Sequence, residues 1–286
     1  MEEYLLQKEP RVTVASLQAV LLMMLKDIKE VCNKNDITFW LSCGSTLGAV
    51  RHEDFIPWDD DLDIGVCYQD IPAFIQALKK DLPQKYYFDC FATDEKYNVL
   101  IPAMKIRLKD TYIQEVNFLL KNRCENGGIN DNNGIFIDVF AYFHVPGTFK
   151  KHFWHLLRQY ALMPFLVLVD NLGINPLVLK KAYMRNIDKC DKINANSGYL
   201  GYDWIWRPIW SPLLFKKEDI LPTKEVLFNK LKMPIPNNHK VYLNQVIGKN
   251  WMTLPKENKR KPKHTLKVDL GEYLDLYEKS KEKIKT

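Results

Sequence analysis

The chain has 286 residues, 47% hydrophobic and 27% charged, so it is long enough for one large globular domain or two small ones and is not a disordered protein. The net charge is +6, from 41 basic and 35 acidic residues. This mild excess suits an anionic substrate or an anionic membrane surface, but it is too small to argue for nucleic acid, whose binding proteins carry a concentrated basic stripe.

The cysteines and the N-terminal residues favour a reducing, cytoplasmic location. None of the 6 cysteines forms a Cys-x-x-Cys pair or lies near a histidine at zinc-finger spacing, so free, buried thiols are expected. The chain begins with Glu2 and Glu3, where a secretory signal would carry positive charge. We therefore expect a cytoplasmic protein.

The first elements in chain order are a helix and a strand. Apolar residues recur at helical spacing over residues 11–34, which predicts an amphipathic helix, and Ser16 is a plausible N-cap. Residues 37–43 are apolar and aromatic and are predicted to form a strand.

A turn of small residues, Gly44-Ser45-Thr46, follows this strand. Small side chains let backbone amides approach an anion such as phosphate. Residues 45–51 are predicted to form a short helix, whose N-terminus would also point amides at an anion.

An acidic segment with a strand pattern comes next. Apolar residues alternate from Leu62 onward, which predicts a strand over 61–67 with Asp61 and Asp63 on one face. Their carboxylates would be about 7 Å apart, close enough to share one divalent cation. Like charges so close repel, so the pair is costly without a cation. A phosphate-binding turn beside such a pair is the layout of metal-dependent phosphoryl transfer.

The next predicted elements are a helix and three strand-like segments. Asp70 and Pro72 are expected to start the helix. Between the last two strand-like segments, the Asn- and Gly-rich stretch 126–134 is predicted to be a loop. The three segments are residues 86–92, 102–115 and 135–140.

Asp138 is a lone carboxylate inside the very apolar segment 135–140. An unpaired carboxylate is costly to bury, so one interpretation is a surface-facing side chain on an edge strand. The interpretation that we favour is a third ligand for the cation of Asp61 and Asp63, since a cation offsets the desolvation of clustered carboxylates.

The second half of the chain is predicted to be mainly helical as far as residue 195. Its longest apolar run, 161–169, is too short to span a bilayer and contains Pro164. Two core helices are the favoured interpretation, and a peripheral membrane face at the inner side of a membrane is the alternative.

Two further segments have weaker signals. The aromatic stripe after residue 195 is expected to be core or interface packing, although aromatic faces also bind quaternary ammonium groups such as choline. The basic segment 256–264 is expected to be solvated, or else to attract a phosphorylated substrate. The stripe consists of Tyr199, Tyr202, Trp204, Trp206 and Trp210.

The turn and the acidic segment resemble the LicD family of nucleotidyltransferase-fold phosphotransferases, which includes the fukutin-related proteins. The resemblance is carried by residues 44–52 and by the run 56–63, Ile-Pro-Trp-Asp-Asp-Asp-Leu-Asp, which is highly specific. The family usually has Gly-Thr-Leu-Leu-Gly at the turn, whereas here Ser45 precedes Thr46. Weaker matches extend the resemblance over roughly residues 17–264; they are 105–107, 137–140 and 236–255.

This resemblance implies an α+β fold, with a nucleotidyltransferase-like mixed β-sheet flanked by helices and a mainly helical C-terminal half. It implies a single domain over residues 1–286, with a core over about 11–145 and a helical and C-terminal part over about 146–286. It also implies transfer of a substituted phosphate from a cytidine diphosphate donor to a glycan or glycolipid hydroxyl. Phosphocholine from CDP-choline is the commonest assignment, and ribitol phosphate from CDP-ribitol is another.

The expected cofactor is Mg²⁺ or Mn²⁺, held by Asp61, Asp63 and Asp138, because such hard cations prefer oxygen ligands. Asp138 is either a ligand or the base that deprotonates the acceptor. Residues expected to bind the donor phosphates are Gly44, Ser45, Thr46, Arg51, Lys105 and Arg107. Two rival classes remain: a nucleotidyltransferase that uses the same metal site, and a non-catalytic nucleotide-binding domain.

Overall fold

The main layer of the protein is a mixed β-sheet. The computed structural model describes residues 12–95, 97, 103–115, 133–172, 174–203 and 207–276. The path across the 7-stranded sheet is β1 (Phe39–Leu41), β2 (Asp63–Cys67), β6 (Phe136–His144), β4 (Met104–Leu108) and β3 (Tyr86–Cys90). Strands β7 (Tyr199–Gly201) and β8 (Phe215–Lys216) extend the sheet from β6. Within it, β2 and β6 run parallel, and the other pairs are antiparallel.

Helices and two separate antiparallel strand pairs accompany this sheet. The first half holds α1 (Val14–Lys34), α2 (Cys43–His52) and α3 (Ile71–Asp81). The second half holds α4 (Phe149–Asn171), α5 (Leu177–Ile193), α6 (Lys217–Ile220) and α7 (His239–Val246). The separate strand pairs are β9 (Lys224–Phe228) with β10 (Leu231–Ile235), and β5 (Tyr112–Glu115) with β11 (Thr265–Asp269).

Helix α1 forms where the sequence predicted it but is capped one turn earlier. Its apolar stripe is buried against the sheet. Thr13, not Ser16, is the N-cap: its hydroxyl accepts the Ser16 amide at 3.1 Å, and the Ser16 hydroxyl accepts the Thr13 amide at 2.8 Å. Ser16 is therefore the third helical residue of a capping box.

The core lies on both faces of the sheet. The predicted alternation in 102–115 becomes β4, whose residues are all buried, and it ends at a turn before β5. Gly65 of β2 is paired with Trp40 of β1, and a Cβ atom on Gly65 would lie 2.4 Å from the indole nitrogen. The large indole is thus accommodated by a missing side chain on the neighbouring strand.

The architecture confirms the predicted α+β class with a mixed sheet flanked by helices. The helical region ends at Ile193, and short strands then alternate with α6 and α7. Of the predicted loop 126–134, residues 126–132 lie outside the described residues, and Asn133 and Gly134 lead into β6. The five described cysteines are free, as expected, and Cys124 lies outside the described part of the chain.

The apolar run 161–169 departs from its prediction. It belongs to α4, which continues through Pro164, and α5 is the second expected helix. The prediction of two core helices is wrong for the outer side of α4, because Phe165 and Leu168 are 59% and 57% exposed. Among the described helices none combines the length and apolar character needed to cross a bilayer.

Candidate active site

Strand pairing places the predicted carboxylates side by side. In the parallel register Asp63 is opposite Asp138, and in the antiparallel register of β4 and β6 Lys105 is opposite Asp138. Asp89 of β3 is opposite Lys105. One row across four strands therefore carries three carboxylates and one ammonium group, at the point where β2 begins.

Asp138 is held by a buried lysine. Lys105 Nζ lies 2.9 Å from Asp138 Oδ1 and 3.2 Å from Glu115 Oε1, and it lies 3.3 Å from the centroid of the Phe136 ring. Asp138 Oδ1 is buried and has no partner in good hydrogen-bond geometry. Lys105 thus balances part of the negative charge but leaves this oxygen with coordination capacity.

The small residues Gly44-Ser45-Thr46 lie in the first turn of α2 rather than in a separate turn before it. Ser45 Oγ accepts the Asp63 amide at 2.9 Å, so this serine joins the helix to the start of β2. A Cβ atom on Gly44 would lie 3.0 Å from Asp59 Oδ2. The backbone of α2 therefore lies close to the acidic loop, which we define as residues 59–62 before β2. Thr46 is buried and donates to the Leu41 carbonyl at 2.5 Å, so its hydroxyl is used inside the fold.

The acidic loop is held from a distant part of the chain. Asp60 is buried, and its carboxylate accepts backbone amides of Lys263, His264 and Thr265 at 2.6 to 3.3 Å. His264 Nε2 lies 3.4 Å from Asp61 Oδ2. The predicted basic segment 256–264 is thus part of the site, and its backbone amides contribute as well as its charge.

The electrostatics of this region favour neutralisation of the carboxylates. Burial, followed by the charges of neighbouring aspartates, raises the pKa of Asp59 and Asp63 well above the ordinary value. Burial raises the pKa of Asp61, and it raises that of Asp138 to about 6 although Lys105 opposes the shift. The anionic form of all four groups is therefore unfavourable, and a bound cation would stabilise it.

The donor set fits a hard divalent cation. Asp61, Asp63 and Asp138 offer carboxylate oxygens, the ligands that Mg²⁺ and Mn²⁺ prefer. Their mutual repulsion, together with the remaining coordination capacity of Asp138 Oδ1 beside Lys105, fits a cation site. A tight group of Asp60, Asp61 and His264, with ligand atoms within 4.8 Å of one another, lies beside them.

A pocket of about 560 Å³ reaches the acidic loop at His264, whose Nε2 lies 3.4 Å from Asp61 Oδ2. Gly44 and Arg51, both predicted to bind phosphates, line it together with Asp59. Arg51 Nη1 donates to the Trp251 carbonyl at 2.8 Å, which fixes its position at the pocket wall. The pocket is also lined by Trp58, Trp251 and Lys249, to which sequence reasoning gave no role. Lys261, Lys263 and His264 of the basic segment line it as well.

Arg107 lies apart from this pocket although it is two residues from Lys105. It is buried, and it donates through Nε to Asp89 Oδ2 at 2.9 Å and through Nη1 to the Gly134 carbonyl at 2.9 Å. The guanidinium therefore joins β4 to β3 and to the chain before β6. Lys105, likewise, is paired with Asp138 and Glu115, and no local sequence pattern predicts these pairings.

The aromatic stripe has no common location in the described structure. Tyr202 is buried and packs against Phe140 and Tyr142, whereas Trp210 is 72% exposed. Trp204 and Trp206 lie outside the described residues. The aromatic rings that line the pocket are instead Trp58 and Trp251.

A second buried polar cluster joins α4 to the chain that follows β7. His155 Nε2 lies 3.0 Å from Asp203 Oδ1, and Gln159 Nε2 donates to Asp203 Oδ2 at 2.7 Å. The rings of His152 and His155 stack with centroids 4.8 Å apart. Burial alone would lower the pKa of His155, but the Asp203 carboxylate outweighs it and raises that pKa to about 10. Burial and the neighbouring His155 lower the pKa of His152 to about 4.

Comparison with known proteins agrees with this arrangement. The family described as LicD/FKTN/FKRP, nucleotidyltransferase domain, matches residues 36–167, the part that contains β1 to β6 and both carboxylate strands. The lipopolysaccharide cholinephosphotransferase LicD of Haemophilus influenzae is 24% identical over 284 residues, covering 89% of this chain and 97% of that protein.

Two shorter matches are closer in sequence. The ribitol 5-phosphate transferase FKRP of Homo sapiens is 51% identical over 35 residues, 12% of this chain and 7% of that protein. An uncharacterized protein of Rickettsia prowazekii is 50% identical over 106 residues, 32% of this chain and 40% of that protein. The chain thus spans well under two thirds of that rickettsial relative, and of one from Rickettsia typhi it covers 19%. With the acidic motif at the start of the two parallel strands, these matches confirm the resemblance: residues 36–167 are similar to the nucleotidyltransferase domain of the LicD/FKTN/FKRP family.

Proposed function

We propose that this protein transfers a substituted phosphate from a CDP-linked alcohol to a hydroxyl group of a glycan or glycolipid, with Mg²⁺ or Mn²⁺ as cofactor. The observation that carries the proposal is the row formed by Asp63, Asp138 and Lys105, together with the cation-lined pocket whose His264 lies 3.4 Å from Asp61. Clustered carboxylates alone do not identify a reaction. Carboxylates that need a cation, next to a pocket suited to anions, fit phosphoryl transfer.

In this proposal each group of residues has a separate task. Asp61, Asp63 and Asp138 would hold the cation, which when bound would polarise the donor phosphates and stabilise charge on the departing CMP. Arg51 and the lysines of the pocket would bind the remaining phosphate charge. Lys105 would keep the Asp138 carboxylate oriented, because it pairs with it at 2.9 Å.

The chemical step is a substitution at the phosphorus atom that bears the alcohol. The acceptor oxygen forms a bond to this phosphorus, the bond from phosphorus to the CMP oxygen breaks, and CMP leaves with the electron pair. The hydroxyl proton passes to a base. Asp138 is the candidate base in addition to being a candidate ligand, since its raised pKa of about 6 suits proton acceptance near neutrality.

Choline is our leading candidate for the alcohol. The similarity to a cholinephosphotransferase spans most of both chains, whereas the similarities to two ribitol 5-phosphate transferases cover 35 and 67 residues. Trp58 and Trp251 offer aromatic faces in the pocket, and a quaternary ammonium group is held by such faces. Ribitol would instead need several hydrogen-bond partners for its hydroxyl groups.

The direct test is a mass measurement of the products. The purified chain is incubated with Mg²⁺, a glycan acceptor and either CDP-choline or CDP-ribitol. We expect the acceptor to gain one phosphoalcohol group for each CMP released, and we expect chelation of the cation to stop both events. Trp58→Ala and Trp251→Ala should weaken binding of CDP-choline more than binding of CMP.

Other products would overturn the proposal. A nucleotide adduct on the acceptor would identify a nucleotidyltransferase. Donor binding without any product, with both donors and several acceptor glycans, would support a non-catalytic domain. Full activity after exhaustive chelation would remove the role assigned to the cation.

A further inference from the structure

Helix α4 presents an apolar stripe to the outside of the protein. Residues 154, 157, 161, 165 and 168 of the helix, and residue 172 directly after it, follow one another at spacings of three or four and therefore lie on one side. All six are exposed, and Trp154 and Leu172 reach 65%. A soluble surface helix normally shows the opposite pattern, with its apolar stripe against the core.

The stripe continues into the start of α5. Ile174 and Val178 are exposed, the latter by 76%. Among the described side chains from residue 161 to residue 168, the exposed ones are those of Ala161, Pro164, Phe165 and Leu168, and none of these carries a charge. A contiguous uncharged surface of this kind marks an interaction site more often than ordinary surface does.

Basic side chains flank this apolar face. Lys150 lies on the line of the stripe, one turn before Trp154, and Lys151 and Arg158 lie beside it at a spacing of seven. All three are exposed. Lys181 and Arg185 are exposed on α5, beyond Val178, and Lys181 pairs with Glu95.

We propose that the outer face of α4, with the start of α5, docks on a lipid bilayer that contains anionic lipids. A helix with exposed Trp, Phe and Leu side chains and adjacent Lys and Arg has the composition of a helix that lies in the membrane interface. The basic flank supplies attraction to anionic headgroups. This charge complementarity favours lipid over a second copy of the chain, which would bring the same basic residues together at the shared interface.

This inference deepens the proposed function, because an enzyme docked on lipid would meet an acceptor carried by lipid. Binding to vesicles is nevertheless measured without donor or acceptor. Failure of vesicle binding would therefore leave transfer to a soluble glycan untouched, and failure of transfer would leave vesicle binding untouched.

The experiment is flotation of the full chain with two kinds of vesicle, one of phosphatidylcholine alone and one with added phosphatidylserine. The wild type should float with the anionic vesicles, and less so at high salt. The double variant Phe165→Ser, Leu168→Ser should lower partitioning at least about tenfold on both vesicles, since it removes apolar contact. The control is Leu227→Ser, which changes a half-exposed apolar residue of β9 outside the face.

A second variant isolates the charge. Lys150→Gln with Lys151→Gln should lower binding about tenfold on anionic vesicles and change binding to phosphatidylcholine little. Absence of wild-type binding to either vesicle would overturn the proposal. So would a dimer in solution that the Phe165→Ser, Leu168→Ser variant converts to a monomer without any effect of lipid, which would make the face a protein interface.

Discussion

The protein contains two clusters of buried charged side chains, and the two differ in how their carboxylates are neutralised. At the sheet, Asp61, Asp63 and Asp138 are near one another with Lys105 as the buried partner of Asp138. Beside α4, Asp203 faces His155 at 3.0 Å and Gln159 at 2.7 Å. Both clusters are desolvated, but only the second brings each carboxylate oxygen a donor from the protein.

This difference in hydrogen-bond donors distinguishes a candidate binding site, at the sheet, from a cluster that only connects parts of the fold, beside α4. The Asp203 cluster neutralises itself, because the charge of His155 balances that of the carboxylate, so it stabilises the fold and needs no ligand. The sheet cluster keeps an excess of negative charge, which lowers stability, and a bound cation would offset that charge. Substitutions in the two clusters should therefore have opposite effects on stability.

The largest effect should come from the sheet cluster and should be on activity. Asp61→Ala or Asp63→Ala should lower transfer at least about a thousandfold, because the cation loses a ligand. The free energy of unfolding without metal should stay the same or rise, since a repulsive charge is removed. Turnover assays and denaturant unfolding measure the two quantities, with the exposed Asp275→Ala as control. Near-normal turnover in either variant would refute the metal assignment.

Asp138→Asn tests whether the charge on β6 is used in the reaction. Asn keeps the shape of the side chain but cannot act as a base and is a poorer ligand, so we expect a rate loss of several orders of magnitude. Lys105 should remain paired with Glu115, which limits the structural change. A rate loss below about tenfold, or about 1.4 kcal/mol of barrier, would return Asp138 to a structural role.

Asp203→Asn should break the self-neutralised cluster. Removing one partner of a buried ion pair leaves the other charge uncompensated, so the free energy of unfolding should fall by about 3 to 5 kcal/mol. Chemical denaturation of this variant and of the exposed control Asp275→Asn gives the difference. A loss below about 1 kcal/mol would mean that His155 is not held as a cation by Asp203.

A divalent cation should stabilise the sheet cluster alone. At about 100 times its dissociation constant, Mg²⁺ or Mn²⁺ should raise the free energy of unfolding by about 2.7 kcal/mol. The effect should vanish in Asp63→Ala and persist in Asp275→Ala, and thermal unfolding with and without metal detects it. Equal stabilisation of both variants would place the bound cation elsewhere.

The smallest effect should come from Thr46. Thr46→Val keeps the shape but removes the donor to the Leu41 carbonyl, so stability should fall by about 1 kcal/mol. Transfer activity should change little, because the hydroxyl is used inside the fold. A loss of activity much larger than the loss of stability, in the same turnover assay, would restore Thr46 to the phosphate site.

The strands that carry the site were predictable because their local patterns are strong. Alternating apolar residues around Asp63 and a continuous apolar run around Asp138 predict strands without tertiary information. That the two aspartates share a row depends on the parallel pairing of β2 with β6, which joins residues 75 positions apart. The sequence analysis placed Asp138 near Asp63 only because a shared cation would offset the cost of burying clustered carboxylates.

Other parts of the site are set by contacts that no local pattern contains. Arg107 and Thr46 have side chains suited to phosphate, yet Asp89 and the Leu41 carbonyl engage them. Glu115 and His264 enter the site through the pairing of β5 with β11, which returns the C-terminal segment to this region. On α4, the apolar spacing identified a helix, but it could not tell which medium its apolar stripe faces.

The hydrogen bonds from backbone amides to Asp60 join parts of the chain that are synthesised at different times. Asp60 and the amides that hold it are 203 to 205 residues apart in the chain. At ordinary rates of synthesis, about 5 to 20 residues per second, the acidic loop emerges roughly 10 to 40 seconds before those donors do. During that interval its carboxylates lack these partners and stay hydrated. A chain released before residue 263 would carry the complete acidic motif without the backbone that organises it.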